Sequence, residues 1–350
     1  MQYTLLPEWA EQDAVMLTWP HLNTDWSEIL DKVEPVYIAL CQQISQVEDV
    51  VIIAHTESLK EHISSLLKNH EVELKKVHFV VTPYNDTWAR DHGPITTIND
   101  EGKLSIKDFT FTGWGNKFSS DLDNKINKIL VDELASPDND YDVVDMVLEG
   151  GGIEINESGT LLTTTECLLN DNRNPELSKD DVEAILKGKL GAKDFLWVDH
   201  GYLAGDDTDS HIDTLVRFAP KNTLVYVGCD DESDEHYSAL AKMADQLRSF
   251  QTPSGDAYKL IELPWPKAIF DDEGERLPAT YANYLIINKT VLVPVYNDEK
   301  DALALKQIQL AYPEHTVIGI DCVPIIHQFG SLHCITMQLP KGFLKRIKHV

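Results

Sequence analysis

Gly330-Ser331-Leu332-His333-Cys334-Ile335-Thr336-Met337-Gln338-Leu339-Pro340 lies near the end of a chain of 350 residues. A Gly-Ser turn feeds a cysteine. From Ile335 to Leu339 apolar and polar residues alternate, which marks a strand. Backbone beside a glycine can be approached closely by a ligand. Alone, Cys334 reads as a buried structural thiol, the usual fate of a lone cysteine. Outward from this stretch, the chain repeats strand, helix and strand about five times, at a spacing of roughly 60–70 residues. That period predicts radial repetition of one α/β unit. No Pro/Gly/Ser-rich linker divides the chain, so a single domain over 1–350 is expected.

Strands are expected at 14–19, 50–54, 77–81, 95–98, 104–112 and 143–148, and as a hairpin over 153–155 and 160–164. More follow at 195–198, 223–227, 259–263, 281–295 (turned at Asn288-Lys289) and 316–320. Ser27 reads as the cap of a helix running to Val47, kinked or delayed by Pro35. Helices are also expected over 58–67, 122–134, 234–247 and 299–311, with a further one capped by Ser178. The stretch 199–213 is a long acidic loop, and loops of that length usually carry function.

The 58 acidic and 30 basic residues give a formal net charge of -28. Such a chain repels nucleic acid and anionic lipid, and it attracts a small cation. No apolar run reaches membrane-spanning length. The five cysteines form no CxxC pair and no zinc-ligand spacing with histidine. A reducing compartment follows, and the N-terminus shows no secretory signal, so the cytoplasm is expected. Glu149-Gly150-Gly151-Gly152 lacks the Lys and Ser/Thr of a phosphate loop and reads as a tight turn.

Four loops that end strands offer reactive groups: Asp91, Glu149, His211 with Asp213, and Cys334. The thiol can act as nucleophile and the imidazole as its proton partner. His211-x-Asp213 in a strand would put both side chains on one face. Carboxylates beside a thiol raise its pKa and weaken it. That cost makes sense if the substrate is a cation such as a guanidinium, which two carboxylates can grip in bidentate fashion. Trp88 and Trp114 read first as packing residues and second as a stacking surface for a cation.

Six motifs occur together. They are Trp88-Ala89-Arg90-Asp91-His92-Gly93-Pro94, Gly113-Trp114-Gly115-Asn116-Lys117, Glu149-Gly150-Gly151, Leu168 to Pro175, Asp206-Asp207-Thr208 with His211-x-Asp213, and His333-Cys334-Ile335-Thr336. In combination they resemble the agmatine deiminase family, which belongs with the bacterial peptidylarginine deiminases in the guanidino-group-modifying superfamily. The resemblance runs from Pro7 to Pro340. It implies a five-bladed pseudosymmetric α/β propeller, the pentein fold, with the site on its axis. It implies Cys334 as nucleophile, His211 as general acid/base, Asp91 and Asp213 as guanidinium ligands, and Glu149 as a further ligand near His211. Trp88, Trp114 and Asp207 are expected to line the substrate. No cofactor or metal is implied, and homo-oligomerisation is left open.

The implied reaction is hydrolysis of agmatine to N-carbamoylputrescine and ammonia, a step of putrescine supply. The rivals are the same chemistry on arginine or peptidyl-arginine, an amidinotransferase, and an inactive binding scaffold. Ser210-His211-Ile212-Asp213 departs from the family's usual Gly-His-Val-Asp, and Glu154 stands where a histidine is usual.

Overall fold

The Cys334 strand, Thr336–Pro340, pairs antiparallel with Gln12–Thr18, so the two ends of the chain close one sheet. Gln12–Thr18 then pairs parallel with Asp49–Ala54, across the helix Leu30–Val47. The computed structural model describes residues 2–345; Met1 and residues 346–350 of the expected single domain lie outside them.

The same order recurs. A leading strand pairs antiparallel with a second, a helix follows, and a third strand pairs parallel with the second. Ile95–Asn99, Leu104–Thr110 and Asp140–Val147 form one such set. Ile153–Ile155, Thr160–Thr164 and Asp194–Val198 form the next. Val216–Ala219, Thr223–Val227 and Lys259–Leu263 form a third, and Leu285–Ile287, Thr290–Val295 and Thr316–Asp321 a fourth. Among the described residues, five of the six sheets therefore share one plan, and the sixth is the two-stranded ribbon Ile269–Phe270 with Arg276–Leu277.

Parallel pairing needs a crossover, and the helices supply it. Val50, Val51, Ile52 and Ile53 are all fully buried, as a strand covered on both faces must be. Leu30–Val47 buries Val33, Val36, Tyr37, Leu40, Cys41 and Ile44 at spacings of three and four, a single apolar stripe. Lys179–Leu190 starts at the expected Ser178, whose hydroxyl accepts from Asp181 N in a full capping box, and ends at Gly191 with φ 66°.

Several expectations fail. Ser27 caps nothing; its amide closes a turn on Thr24 O, and the helix begins at Leu30 with Pro35 in its second turn. Val216–Ala219 and the ribbon at 269–277 are unforeseen strands. The loop expected over 199–213 is borne out, and His211 and Asp213 are in no strand. Asp213 lies in the 3₁₀ turn Ile212–Thr214 and His211 caps it. The acidic segment before this turn folds back on itself. Asp206 accepts from Thr208 N, Thr208 Oγ1 and Ser210 N, and Asp209 and Ser210 take positive φ.

Candidate active site

Each leading strand is entered through a polar side chain. Asp91, in the single helical turn Ala89–His92, precedes Ile95–Asn99. Glu149 precedes the 3₁₀ turn Gly150–Gly152 and then Ile153–Ile155. His211 and Asp213 precede Val216–Ala219, and Cys334 precedes Thr336–Pro340. The remaining leading strand, Leu285–Ile287, is entered through Asn283, which the sequence reading missed. Its register before the strand matches that of Cys334, and this was the available signal.

Asn283 organises the thiol. Its Oδ1 lies 2.9 Å from His333 N, 3.3 Å from Cys334 N and 3.3 Å from Cys334 Sγ. Cys334 is 5% exposed. Burial first, then the carboxylates of Asp213 and Asp91, pushes its thiol well above the ordinary range. Asp213 Oδ2 is 4.0 Å from the sulfur.

The two expected guanidinium ligands differ in state. Asp91 accepts from Trp114 Nε1 at 3.0 Å and Gly151 N at 3.1 Å. Burial, with Asp213 and Glu149 nearby, raises its pKa well above normal. Asp213 is also fully buried, yet its pKa is held below normal by the hydrogen bond and charge of His333. Its Oδ2 accepts from His333 Nδ1 at 2.7 Å and Asn283 Nδ2 at 3.2 Å. Its Oδ1 is buried with no partner.

His211 is fully buried, and neither ring nitrogen has a hydrogen-bond partner; the nearest carboxylate oxygen, Asp91 Oδ1, is 3.6 Å from Nδ1. Burial pushes its pKa down to about 4, so the ring is neutral at pH 7. Gly151 passes between these groups. A Cβ there would sit 2.6 Å from His211 Nδ1, 2.9 Å from Asp91 Oδ1 and 3.1 Å from Asp213 Oδ2. The glycine turn therefore serves close packing of backbone into the centre.

Glu149 is buried beside His211. Its Oε1 accepts from Arg173 Nε at 3.1 Å, and Arg173 also holds the Asp209 carboxylate and Thr208 O, at 2.9 Å from Nη2. Arg173 thus ties Glu149 to the loop that carries His211. It lies within the motif Leu168 to Pro175, whose sequence alone gives it no role. Glu149, His211 and the buried Cys167 also bring their ligand atoms within 4.8 Å of one another.

A cavity of about 200 Å³ opens onto Cys334 and Asp91 between Trp88, Trp114, Phe118 and Phe329. Trp88 and Trp114 both pack, edge to face at 5.9 Å, and both line this space. Gly330 is dictated here, because a Cβ would lie 2.1 Å from the Trp88 ring. Asp25, Asp86, Asp206 and Asp207 also line it. His211, Asp213 and Glu149 stand behind it.

The comparisons agree with this geometry. The family model of the Porphyromonas-type peptidyl-arginine deiminases matches residues 4–340. The chain belongs to that family. Among its relatives, a Lactococcus lactis protein named "Putative agmatine deiminase" is 32% identical, covering 96% of this chain and 94% of its own. A crystal structure of the "Putative Arginine Deiminase" from Porphyromonas gingivalis superposes with a TM-score of 0.92 at 45% identity, covering 98% of this chain and 100% of that one. A cysteine-to-serine variant of C. jejuni agmatine deiminase with substrate bound gives 0.89 at 40% identity, covering 98% and 97%. The α/β fold is the one these deiminase structures share, and the protein is an enzyme of the deiminase family. Among the described residues no helix is long and apolar enough to cross a membrane.

Proposed function

We propose that the protein is a cytoplasmic agmatine deiminase of putrescine supply, converting agmatine and water to N-carbamoylputrescine and ammonia. The five like sheets are then the blades of one α/β propeller domain with the site on its axis. One observation carries the reading. Both nitrogens of His211 and Oδ1 of Asp213 are buried without partners, beside a thiol and two further carboxylates, at the end of an aromatic cavity with an acidic lining. Buried polar atoms are costly to leave unpaired, so such a cluster fits a missing ligand rich in N–H donors and carrying positive charge.

In the mechanism, Asp91 and Asp213 grip the guanidinium. Its charge lowers the thiol pKa, and Cys334 passes its proton to neutral His211. The thiolate attacks the guanidinium carbon. His211 then gives the proton to the departing ammonia, leaving an S-alkylthiouronium on Cys334. Water attacks, His211 takes one of its protons and returns it to the sulfur, the second is lost to solvent, and the neutral ureido product leaves. Glu149 holds the inner end of the site and, through Arg173, the His211 loop.

A second reading, deimination of arginine, is favoured by the P. gingivalis neighbour's name. Assay of the ureido product from agmatine, arginine and a blocked arginyl peptide separates the two. Turnover of agmatine well ahead of the others supports the proposal. Turnover of arginine or the peptide ahead of agmatine, or of none, overturns it.

A further inference from the structure

Cys167 takes no part in the mechanism above, yet its thiol is fully buried against the catalytic imidazole. It sits in the short helix Thr165–Leu168, fixed by Thr164 Oγ1, which accepts from Cys167 N at 3.2 Å. A Cβ on Gly152 would lie 3.3 Å from Cys167 Sγ and 3.9 Å from His211 Cδ2, so the glycine leaves the space between thiol and ring open. Glu149 faces the same space, and its Oε1 accepts from Arg173 Nε at 3.1 Å. Thiolate, imidazole and carboxylate are a zinc ligand set. Bonds of about 2.0–2.3 Å place tetrahedral ligand atoms about 3.3–3.8 Å apart. The three ligand atoms lie within 4.8 Å of one another, so closure onto a metal asks each to move by no more than about an ångström. His211 adds an independent sign, a fully buried ring whose nitrogens have no partner.

We propose that Glu149, Cys167 and His211 form an inhibitory site for zinc or a similar thiophilic divalent cation, behind the substrate position. The cation enters through the acidic cavity. The Cys167 S–H bond breaks as the metal–sulfur bond forms, the proton passes to solvent, and His211 binds through a ring lone pair; nothing is oxidised or reduced. A metal on His211 removes the proton carrier, and its charge repels a guanidinium. Metal and substrate therefore exclude one another. Arg173 is the adverse charge beside the site, and the Glu149 and Asp209 carboxylates that it holds offset it.

The inhibition readout rests on the proposed deimination, but the binding readout does not. Titration with Co²⁺ should give a thiolate-to-cobalt charge-transfer absorption in wild-type protein and in Cys334→Ser, and none in Cys167→Ala. In activity assays Zn²⁺ should inhibit wild type, and high agmatine should relieve it. Cys167→Ala should keep its basal rate and lose zinc sensitivity by at least about tenfold. A band that survives Cys167→Ala and vanishes in Cys334→Ser would put the metal on the nucleophile and overturn the proposal. So would the absence of any band. A protein that binds cobalt through Cys167 but turns over no guanidine would leave this site standing and remove the deiminase reading.

Discussion

His333 Nδ1 donates to Asp213 Oδ2 at 2.7 Å, and Cys334, the proposed nucleophile, is the next residue in the chain. The far nitrogen of the ring, Nε2, lies 2.8 Å from Glu8 Oε1 and 3.0 Å from Arg217 Nη2. Glu8 is held in turn by Arg217 Nη2 at 2.6 Å and Arg90 Nη1 at 3.1 Å. Asp213 is thereby kept ionised and oriented, with one oxygen committed and the other free. His333→Ala removes both contacts and leaves a buried carboxylate short of a donor, which costs about 1–3 kcal/mol. We expect kcat/KM to fall about 10- to 100-fold. His333→Asn can still donate to Asp213 and should lose less. Equal losses in steady-state kinetics of the two variants would deny His333 this positioning role.

Arg173 bridges Glu149 and Asp209 with its side chain only 1% exposed. Removing one partner of a buried ion pair costs roughly 3–5 kcal/mol, because the other charges stay behind. Arg173→Met should therefore lower the urea midpoint and free the loop carrying His211. In folded protein kcat should fall more than KM rises, since the proton carrier moves while Asp91 and Asp213 remain. A kinetic profile matching wild type would mean that the bridge is ornamental.

The Cys334 thiol is raised by burial and by Asp213 and Asp91, so in substrate-free enzyme it is protonated at neutral pH. Alkylation needs the thiolate. Iodoacetamide labelling of Cys334, followed by peptide mass spectrometry, should be slow at pH 7 and should rise about tenfold per pH unit into the alkaline range. Cys334→Ser should abolish turnover, and wild type quenched during turnover should carry an adduct on Cys334. An adduct on Cys41, Cys167, Cys229 or Cys322 would sink the nucleophile assignment.

Buried neutral histidines should make the fold acid-sensitive. His211 is pushed to about 4 and His92 to about 3, each mainly by burial. The unfolded chain binds these protons near pH 6.5, before the folded one does. Stability is therefore full above that pH and falls as pH drops towards 4, by up to about 1.4 kcal/mol per pH unit per histidine. Urea midpoints between pH 7 and 5 should track this fall. His211→Asn should flatten the slope. An unchanged slope would show that other groups carry the acid sensitivity.

What was legible follows from what is local. The Ser178 cap, the Lys289 turn and the burial of Val50 to Ile53 depend on near neighbours, and they fell where the sequence put them. Cys334, Asp91, Glu149, His211 and Asp213, which the structure brings together, stood out because each residue type carries chemistry of its own and stands at the entry to a repeated strand. Their supports were invisible for the opposite reason. Glu8 meets His333 across 325 residues of sequence. Arg217 is fully buried and satisfied by Glu8, the Glu154 carboxylate and the carbonyls of Ala282 and Tyr284. Neither pairing leaves a local pattern. The loop over 199–213 was legible, but what pins it was not, since Lys117 and Arg173 hold it from distant segments.

The last expectation concerns which guanidine fits. Agmatine and arginine differ by one carboxylate at the end remote from the guanidinium, so the outer part of the cavity decides. Asp25, Asp86, Asp206 and Asp207 line it, and among the described residues no lysine or arginine does. The two cations nearest in sequence are already engaged. Arg90 is buried against Glu8 and Gln338. Lys117 Nζ lies 2.6 Å from Asp207 O and 2.8 Å from Asp209 Oδ1. An entering carboxylate would meet repulsion and lose water without gaining a partner, whereas an ammonium would be welcome. We expect kcat/KM for agmatine to exceed that for arginine by at least about a hundredfold, or roughly 2.7 kcal/mol. Asp207→Asn should raise the KM for agmatine about three- to tenfold, since its carboxylate is half-buried, and should narrow the gap between the two substrates. Initial rates on both guanidines at equal sub-saturating concentration decide it: parity in wild type would mean that the acidic lining does not select.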